Sequence, residues 1–374
     1  GLAGSKCISK ATPVQCSTER HHQVKSNTMK NPFKKKIDEG LEQLETGAAN
    51  TWLLGGLKLA LAAIAVVALM SLGLGFYWSQ EPEMSIREAG NANQAAPTGT
   101  ATVQALQQLG GILLHKPGGY LSNDLFPPGV LLDNVPNWEF GVLVQVRDLA
   151  RALRNTLSRS QSQSREDPDL VIAENQFYFD NNSWFLPATE DEYQKGLVAL
   201  NRYLLRLGDP GEQQAQFYAR ADNLSLWLGE VETRLGSLSQ RLSASVGKRQ
   251  LDTALAGDSA AQQSTTTASE QELKTPWLEL DDIFYEARGS TWAILVILRA
   301  IEQDFGLVLE KKNARVSLRQ IIRELEPTQD PLWSPMILNG SGLGVLANHS
   351  LVMASHISRA NAAMNDLRQL LEQG

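Results

Sequence analysis

The chain has 374 residues, 43% of them hydrophobic, and 34 basic against 41 acidic side chains give it a net charge of −7. That length accommodates one large or two small cores beyond any anchor, and the acidic balance argues against a nucleic-acid binder, which needs a basic face. Both cysteines, Cys7 and Cys16, lie near the N-terminal end, so the body is expected to fold without disulfides.

Residues 1–28 show no hydrophobic periodicity and read as a non-native or disordered extension, with Met29 and the following KNPFKKKIDEG as a plausible native start. Cys7, Cys16, His21 and His22 lack the ligand spacing of a zinc knuckle, and no metal or other cofactor is expected. Residues 29–51 form a basic tail carrying Lys30, Lys34, Lys35 and Lys36. The run Trp52 to Trp78, WLLGGLKLALAAIAVVALMSLGLGFYW, organises the rest of the chain. About 18 apolar residues at 1.5 Å each give roughly 27 Å of helix, which is the thickness of a hydrocarbon core. Trp52, Tyr77 and Trp78 are the rings expected at headgroup depth, and Lys58 can snorkel to the basic side. The run exceeds the 7–15 residues or so of a cleaved signal, so it reads as an uncleaved transmembrane helix. Up to Lys58 there are nine basic and five acidic side chains; beyond it there are 25 and 36, beginning with Glu81 and Glu83. The positive-inside rule then puts the N-terminus in the cytoplasm and the remainder outside. Gly56 with Ala60, and Ser71 with Gly75, are small-x3-small pairs that allow lateral helix association, and the 4,3 rhythm from Phe217 to Leu242 is compatible with a homo-oligomer.

Residues 79–102 are small and polar and read as a tether. A first helical subdomain is expected over 103–247. It contains an irregular stretch broken at Pro117-Gly118-Gly119 and Pro127-Pro128-Gly129, then a helix from the N-cap Asn137 to about Ser160 with Leu143, Val146, Ala150, Leu153 and Leu157 as its apolar seam. Arg147, Arg151 and Arg154 share another face of that helix. Such a stripe can grip a lipid headgroup, a phosphate or a carboxylate, or it can be a solvated face paired with neighbouring acids. Residues 176–186, QFYFDNNSWFL, read as a β-hairpin of aromatic strands around a turn-forming tetrad. Phe177, Tyr178, Phe179, Trp184 and Phe185 are its candidate partner-binding surface, or else a small aromatic core. Thr189 and Glu192 form a capping-box pattern before a helix with Tyr193, Leu197, Leu200, Leu204 and Leu207. After Gly208-Asp209-Pro210-Gly211 the rhythm resumes from Phe217 to Leu242, so the two helices are expected to pair as an antiparallel hairpin.

Residues 248–275 read as a polar low-complexity linker, and 276–374 as a C-terminal helical subdomain. Its apolar run from Thr291 to Ile301 is too short to span a bilayer and reads as a central bundle helix. Ser317 and Gln320 start a short helix, and a last helix runs from Leu346 to Leu371.

Catalytic patterns are weak. Gly340, Gly342 and Gly344 precede a helix but lack the strand and lysine of a phosphate loop. Ser245 and Lys248 match S-x-x-K without its companion motifs. His349 and His356 lie two turns apart, too far to chelate one ion. The densest set of acid/base groups is His115, Asp124, Asp133 and Glu139.

At GGYLSNDLFPPGVLLDNVPNWEFGVLVQVRDLARALRN and SRSQSQSREDPDL the chain strongly resembles DUF2333, a family of bacterial inner-membrane proteins defined as a domain of unknown function, with a likeness extending from Met29 to the end. The resemblance implies a proteobacterial envelope protein and assigns no activity, substrate or functional residue. The expected molecule is mainly α, with a single N-terminal transmembrane helix, a periplasmic helical bundle and one small β-hairpin. Its expected role is a membrane-anchored scaffold or adaptor for an envelope protein partner, without catalysis. The alternatives are a lipid or small-ligand binding domain using the arginine stripe, and an envelope hydrolase using the loop from His115 to Glu139.

Overall fold

A computed structural model describes residues 32–82, 97–161, 164–209, 211, 215–251, 270–334, 336–341 and 345–373. Cys7, Cys16, His21, His22 and most of the expected tether fall outside them. The chain divides into two units, Gly1–Val67 and Ala68–Gly374. The described residues of the first are all helical and belong to α1 (Pro32–Trp78), whose last turns open the second. Within α1, Leu54–Trp78 is long and apolar enough to cross a membrane, and only 6% of its most apolar window is buried.

The second unit is mostly helical. It contains α2 (Thr100–His115), α3 (Asn134–Ala152), α4 (Pro168–Phe177), α5 (Thr189–Leu207), α6 (Ala221–Ser243), α7 (Leu280–Asp304), α8 (Gly306–Lys311), α9 (Arg315–Leu325) and α10 (His349–Glu372). A π-helical turn, Leu153–Leu157, continues α3. Helix α7 lies at the centre, packed along α3 and also against α2, α6, α9 and α10. It is buried nearly all round from Ala287 to Leu298 because apolar residues occupy every face and each face has a helical neighbour. The approach of α3 and α7 depends on two glycines. A Cβ on Gly289 would run into the Trp138 carbonyl oxygen, and one on Gly141 into the Glu286 carbonyl oxygen. Backbones this close also let the Ser290 hydroxyl donate to the Gly141 carbonyl at 3.0 Å. One apolar core runs from α2 through α10, so helices on both sides of the 248–275 stretch share it.

Two aspartates fix helix starts, one from a distance and one locally. The α2 N-terminus has no side-chain cap of its own; Asp304, at the end of α7, accepts from the Gly99 N–H at 2.8 Å and from the Thr102 N–H and hydroxyl at 2.7 Å. Burial pushes the Asp304 carboxyl above the usual aspartate range, while these donors oppose the rise. Asp167 caps α4 by accepting from the Asp169 and Leu170 N–H groups, with Pro168 in the first turn.

Several expectations are corrected. Residues 176–186 form no β-hairpin. The Asp167-Pro168 start signal makes 168–177 a helix, with Leu170, Ala173 and Phe177 on its buried face. The turn after it is held by side chains: Arg147 takes the Phe177 and Phe179 carbonyls, and Thr189 takes those of Asp180 and Ser183, which a ladder would have needed. Strands occur in the expected linker instead, where β1 (Lys248–Leu251) pairs antiparallel with β2 (Glu270–Leu273) in the register Lys248↔Leu273 to Leu251↔Glu270. Thr189 donates to carbonyls rather than capping α5, so no capping box forms there. Asp133, not Asn137, precedes α3, and Ala314, not Ser317, precedes α9. Helices α5 and α6 do not make the expected paired hairpin. The former lies on α4 and α2, and the latter runs along α10, because the two apolar seams have larger complementary faces elsewhere in the core.

Candidate functional site

The arginine stripe is built on α3 and the π turn that follows, and all three guanidiniums turn towards α4. Arg147 donates through Nε to the Phe177 carbonyl at 2.7 Å and through Nη2 to the Phe179 carbonyl at 2.8 Å and the Tyr193 hydroxyl at 3.3 Å. Arg151 lies 3.6 Å from Glu174 and 4.8 Å from the centre of the Tyr178 ring. Arg154 reaches Glu174 and Glu166, each at 2.9 Å. From the opposite side, Arg206 meets Asp167 and Asp169, and Arg202 meets Asp169 at 2.8 Å. The short helix α4 is thus clasped between two sets of arginines. Hydrogen-bonded carboxylates hold the Arg154 and Arg206 guanidiniums above the ordinary arginine range, so both stay charged. An anion arriving at Arg151 or Arg154 would have to displace Glu166 or Glu174, and Arg151, 41% exposed along its side chain, is more open than Arg154.

The stretch between α2 and α3 is organised by a buried ion pair. Lys116 Nζ stands 2.6 Å from Glu139, both side chains being essentially inaccessible, and also donates to the Gly119 carbonyl at 2.6 Å. Glu139 accepts from the Leu121 and Ser122 N–H groups, each at 2.9 Å, and from the Ser122 hydroxyl at 2.5 Å. Burial pushes the Glu139 carboxyl up, against the pull of Lys116 and these donors. Charge pair and backbone donors together fix the loop that begins at Gly118. The Trp78 indole, on the last turn of α1, covers Gly118 so closely that a Cβ there would meet its ring at 2.7 Å.

The aromatic candidates separate by burial. Phe177 is buried, Phe179 packs against the core, and Tyr178 lies half-buried beneath Arg147 and Arg151. Trp184 and Phe185 face outwards, with Trp184 edge-on to exposed Phe126 at a centroid distance of 6.2 Å. Asn123 ties the two loops together, donating to the Ser183 carbonyl at 2.9 Å and to Glu190 at 2.8 Å.

The acid/base candidates go separate ways. His115 is exposed and bonded to the Gly111 carbonyl of its own helix, Glu139 belongs to the buried pair, and Asp133 accepts from the Asn134 N–H ahead of α3. Asp124 sits beside Gly129, its carboxyl pushed up by burial and by Glu190. His349 accepts from the Leu338 N–H, whereas His356 bonds to Arg359. Gly342 and Gly344 lie outside the described residues, and Ser245 is buried. Among the described residues, no group of three or more His, Cys, Asp and Glu side chains is placed to hold a metal ion.

Arg288 is a structural centre that the sequence candidates do not include. This buried residue of α7 receives Glu81 at 2.6 Å and donates to the carbonyls of Thr328, Gln329 and Asp330. It therefore ties the segment just past α1 to the turn that follows α9. The signal available was a lone arginine between Ala287 and Gly289 at the start of an apolar helix, a place where a charge needs a partner. The Asp304 cap and the Lys116–Glu139 pair were likewise unmarked, since both join residues distant in the chain or in an irregular loop.

Neither the curated proteins nor the solved structures include a match to this chain. The family described as an uncharacterized protein conserved in bacteria matches residues 49–374, starting within the tail before the apolar helix and leaving out what precedes it. With most of its length matched, the chain belongs to the DUF2333 family.

Proposed function

We propose that the protein is a single-pass, membrane-anchored scaffold of the bacterial cell envelope, whose helical body stands on the periplasmic face of the inner membrane and holds a protein partner there. The observation that carries this reading is the way α1 ends. An apolar helix with almost none of its surface covered runs directly into a body that grips its last turn, through Trp78 on Gly118 and Glu81 on Arg288. A helix of that length exposing so much apolar surface suits lipid better than water. The basic residues ahead of it and Glu81 and Glu83 behind it favour a cytoplasmic N-terminus. Because the body is fixed at the exit of the helix, a partner bound to it would be held at a set height above the bilayer, which is what a scaffold requires.

The test has two parts. Cysteines at Lys36 and Leu205, in a chain with Cys7 and Cys16 replaced by serine, are challenged with a membrane-impermeant maleimide in intact cells whose outer membrane has been permeabilised. Labelling at 205 alone supports the topology, and labelling at 36 alone overturns it. Crosslinking in the membrane, followed by mass spectrometry of co-purifying proteins and lipids, then tests the role. A stoichiometric protein partner supports the scaffold. A retained lipid or metabolite without a partner overturns it in favour of a binding domain, with Arg151 the first residue to neutralise.

A further inference from the structure

Exposed apolar residues occur at many points on the body, and six of them come together beside the exit of the apolar helix. Leu125, Phe126, Val130, Leu131, Trp184 and Phe185 are each between 50 and 70% exposed and come from two loops joined by the Asn123 bonds and the Phe126–Trp184 contact. A patch of large side chains left open on a folded body marks a surface that is covered in use. The first loop also touches α1. The position of a Cβ on Gly75 lies 3.7 Å from both Pro128 and Leu132, the residues flanking the exposed pair Val130 and Leu131. Gly75 is three residues before Trp78, about 4.5 Å further along the helix axis at 1.5 Å per residue. The loop therefore lies alongside the final turn of the apolar helix rather than beyond its end.

We infer that these two loops form a collar that sinks into the lipid interface around the exit of the transmembrane helix, so that the body rests on the bilayer instead of hanging from it. This rests on the membrane-anchored reading above. If the helix crosses a bilayer, Tyr77 and Trp78 stand at headgroup depth, and a loop in contact with Gly75 is carried to the boundary between headgroups and acyl chains. Large apolar and indole side chains are the residues that partition there. Polar bonds back the collar on its inner side: Glu139 fixes residues 121 and 122, and the Tyr120 hydroxyl donates to the Asn181 carbonyl at 3.0 Å. The apolar side chains are thus presented on a prepared frame, and little ordering remains to be done on contact with lipid. Asp124 and Glu190 stand behind the same loops, so zwitterionic lipid is the fitting occupant rather than strongly anionic lipid.

The experiment uses the full chain, with Cys7 and Cys16 replaced by serine, in phosphatidylcholine vesicles containing doxyl-labelled chains. Single cysteines, Phe126→Cys, Leu131→Cys and Phe185→Cys, carry an environment-sensitive fluorophore. Leu205→Cys and Leu226→Cys on α5 and α6 are exposed controls away from the loops, and Ile64→Cys reports the helix. All replaced residues except Ile64 are exposed surface positions of the body, so the fold should tolerate them. The collar predicts blue-shifted emission and strong quenching at 126, 131 and 185, with neither at 205 and 226. Quenching at 64 without quenching at 126, 131 and 185 overturns the collar and leaves the membrane anchor standing. Absence of quenching at 64 as well overturns the anchor itself. A blue shift without quenching at the three loop positions also overturns the proposal, because a second copy of the chain rather than lipid would then cover the patch.

Discussion

Two helices of this chain are apolar on nearly every side, and they meet opposite surroundings. In α7 the side chains from Ala287 to Leu298 are almost entirely buried, whereas Leu54–Trp78 of α1 is almost entirely exposed. Composition alone does not separate them. What does is the kind of polar and small residue each contains. Helix α7 carries Arg288, Ser290 and Thr291, each bonded to a group that only the body supplies, and a glycine that fits one carbonyl oxygen of α3. The glycines of α1 at 55, 56 and 73 have nothing within 4 Å. A buried apolar helix is thus marked by polar groups with addressed partners, and an uncovered one by their absence.

The largest effect expected from this contrast comes from placing the same charge in each helix. Ile297→Lys in α7 buries an ammonium at a fully inaccessible position with no carboxylate provided for it, and should cost about 5 kcal/mol or more, enough to abolish the folded body. Ile64→Lys in α1 should leave the melting of the body unchanged and weaken membrane integration by about 3 kcal/mol. Circular dichroism of purified protein and carbonate extraction of membranes report the two effects separately. Loss of the body's fold on Ile64→Lys would break the comparison.

A smaller substitution sharpens it. Gly289→Ala adds one methyl where the Trp138 carbonyl already stands, and Gly141→Ala does the same against Glu286. Neither neighbour is a flexible side-chain tip, so α3 and α7 must separate, at a cost of about 3 kcal/mol. Gly55→Ala and Gly73→Ala, facing open space, should change the denaturation midpoint of the body by nothing measurable.

The clamp at the end of α1 is next in size. Arg288→Leu leaves the Thr328, Gln329 and Asp330 carbonyls without their donor and Glu81 without its cation, a loss of about 2–3 kcal/mol because Glu81 stays partly in water. Glu81→Gln keeps the shape and one acceptor and should cost about 1–2 kcal/mol. If α1 is fixed to the body by this contact, both variants should also speed protease cleavage just after Trp78, the arginine variant more. Equal cleavage in all three proteins would detach the anchor from the body.

How much of this was legible in the sequence follows from the range of each interaction. The apolar helix, the helical content, the seams of α3 and α6 and the central place of α7 all follow from periodicity, a local property. Residues 176–186 suggest a hairpin because Phe177, Tyr178 and Phe179 have strand propensity. The Asp167-Pro168 start signal ten residues upstream and the Arg147 bonds to the turn carbonyls decided otherwise. The arginine stripe was legible as a shared face, but that it closes on Glu166 and Glu174 depends on how α4 folds back. Trp184 and Phe185 were singled out as a candidate surface and face outwards. Phe126 and Leu131 were not, since their exposure follows from a loop shape fixed by Glu139 some residues away.

The smallest effect concerns charge at the α7 N-terminus. Burial, together with Asp281, Asp133 and Glu279, pushes the Asp282 carboxyl above the ordinary aspartate range. A group whose folded value is raised binds more protons in the folded than in the unfolded chain. Its contribution therefore favours the fold at low pH and is lost as pH rises through the raised value. At neutral pH the ionised Asp282 is thus a mild liability, which Asp282→Asn removes while keeping the oxygen that accepts from Asn137 at 2.6 Å. The variant should be more stable than the parent at pH 7, by less than about 1 kcal/mol because water screens a half-buried site. The gain should shrink to nothing as pH falls below the ordinary aspartate value. Denaturation midpoints of parent and variant that run parallel from pH 7 to pH 4 would show that the acidic neighbours exert no strain on α7, leaving its seating to the glycine crossing and Arg288 alone.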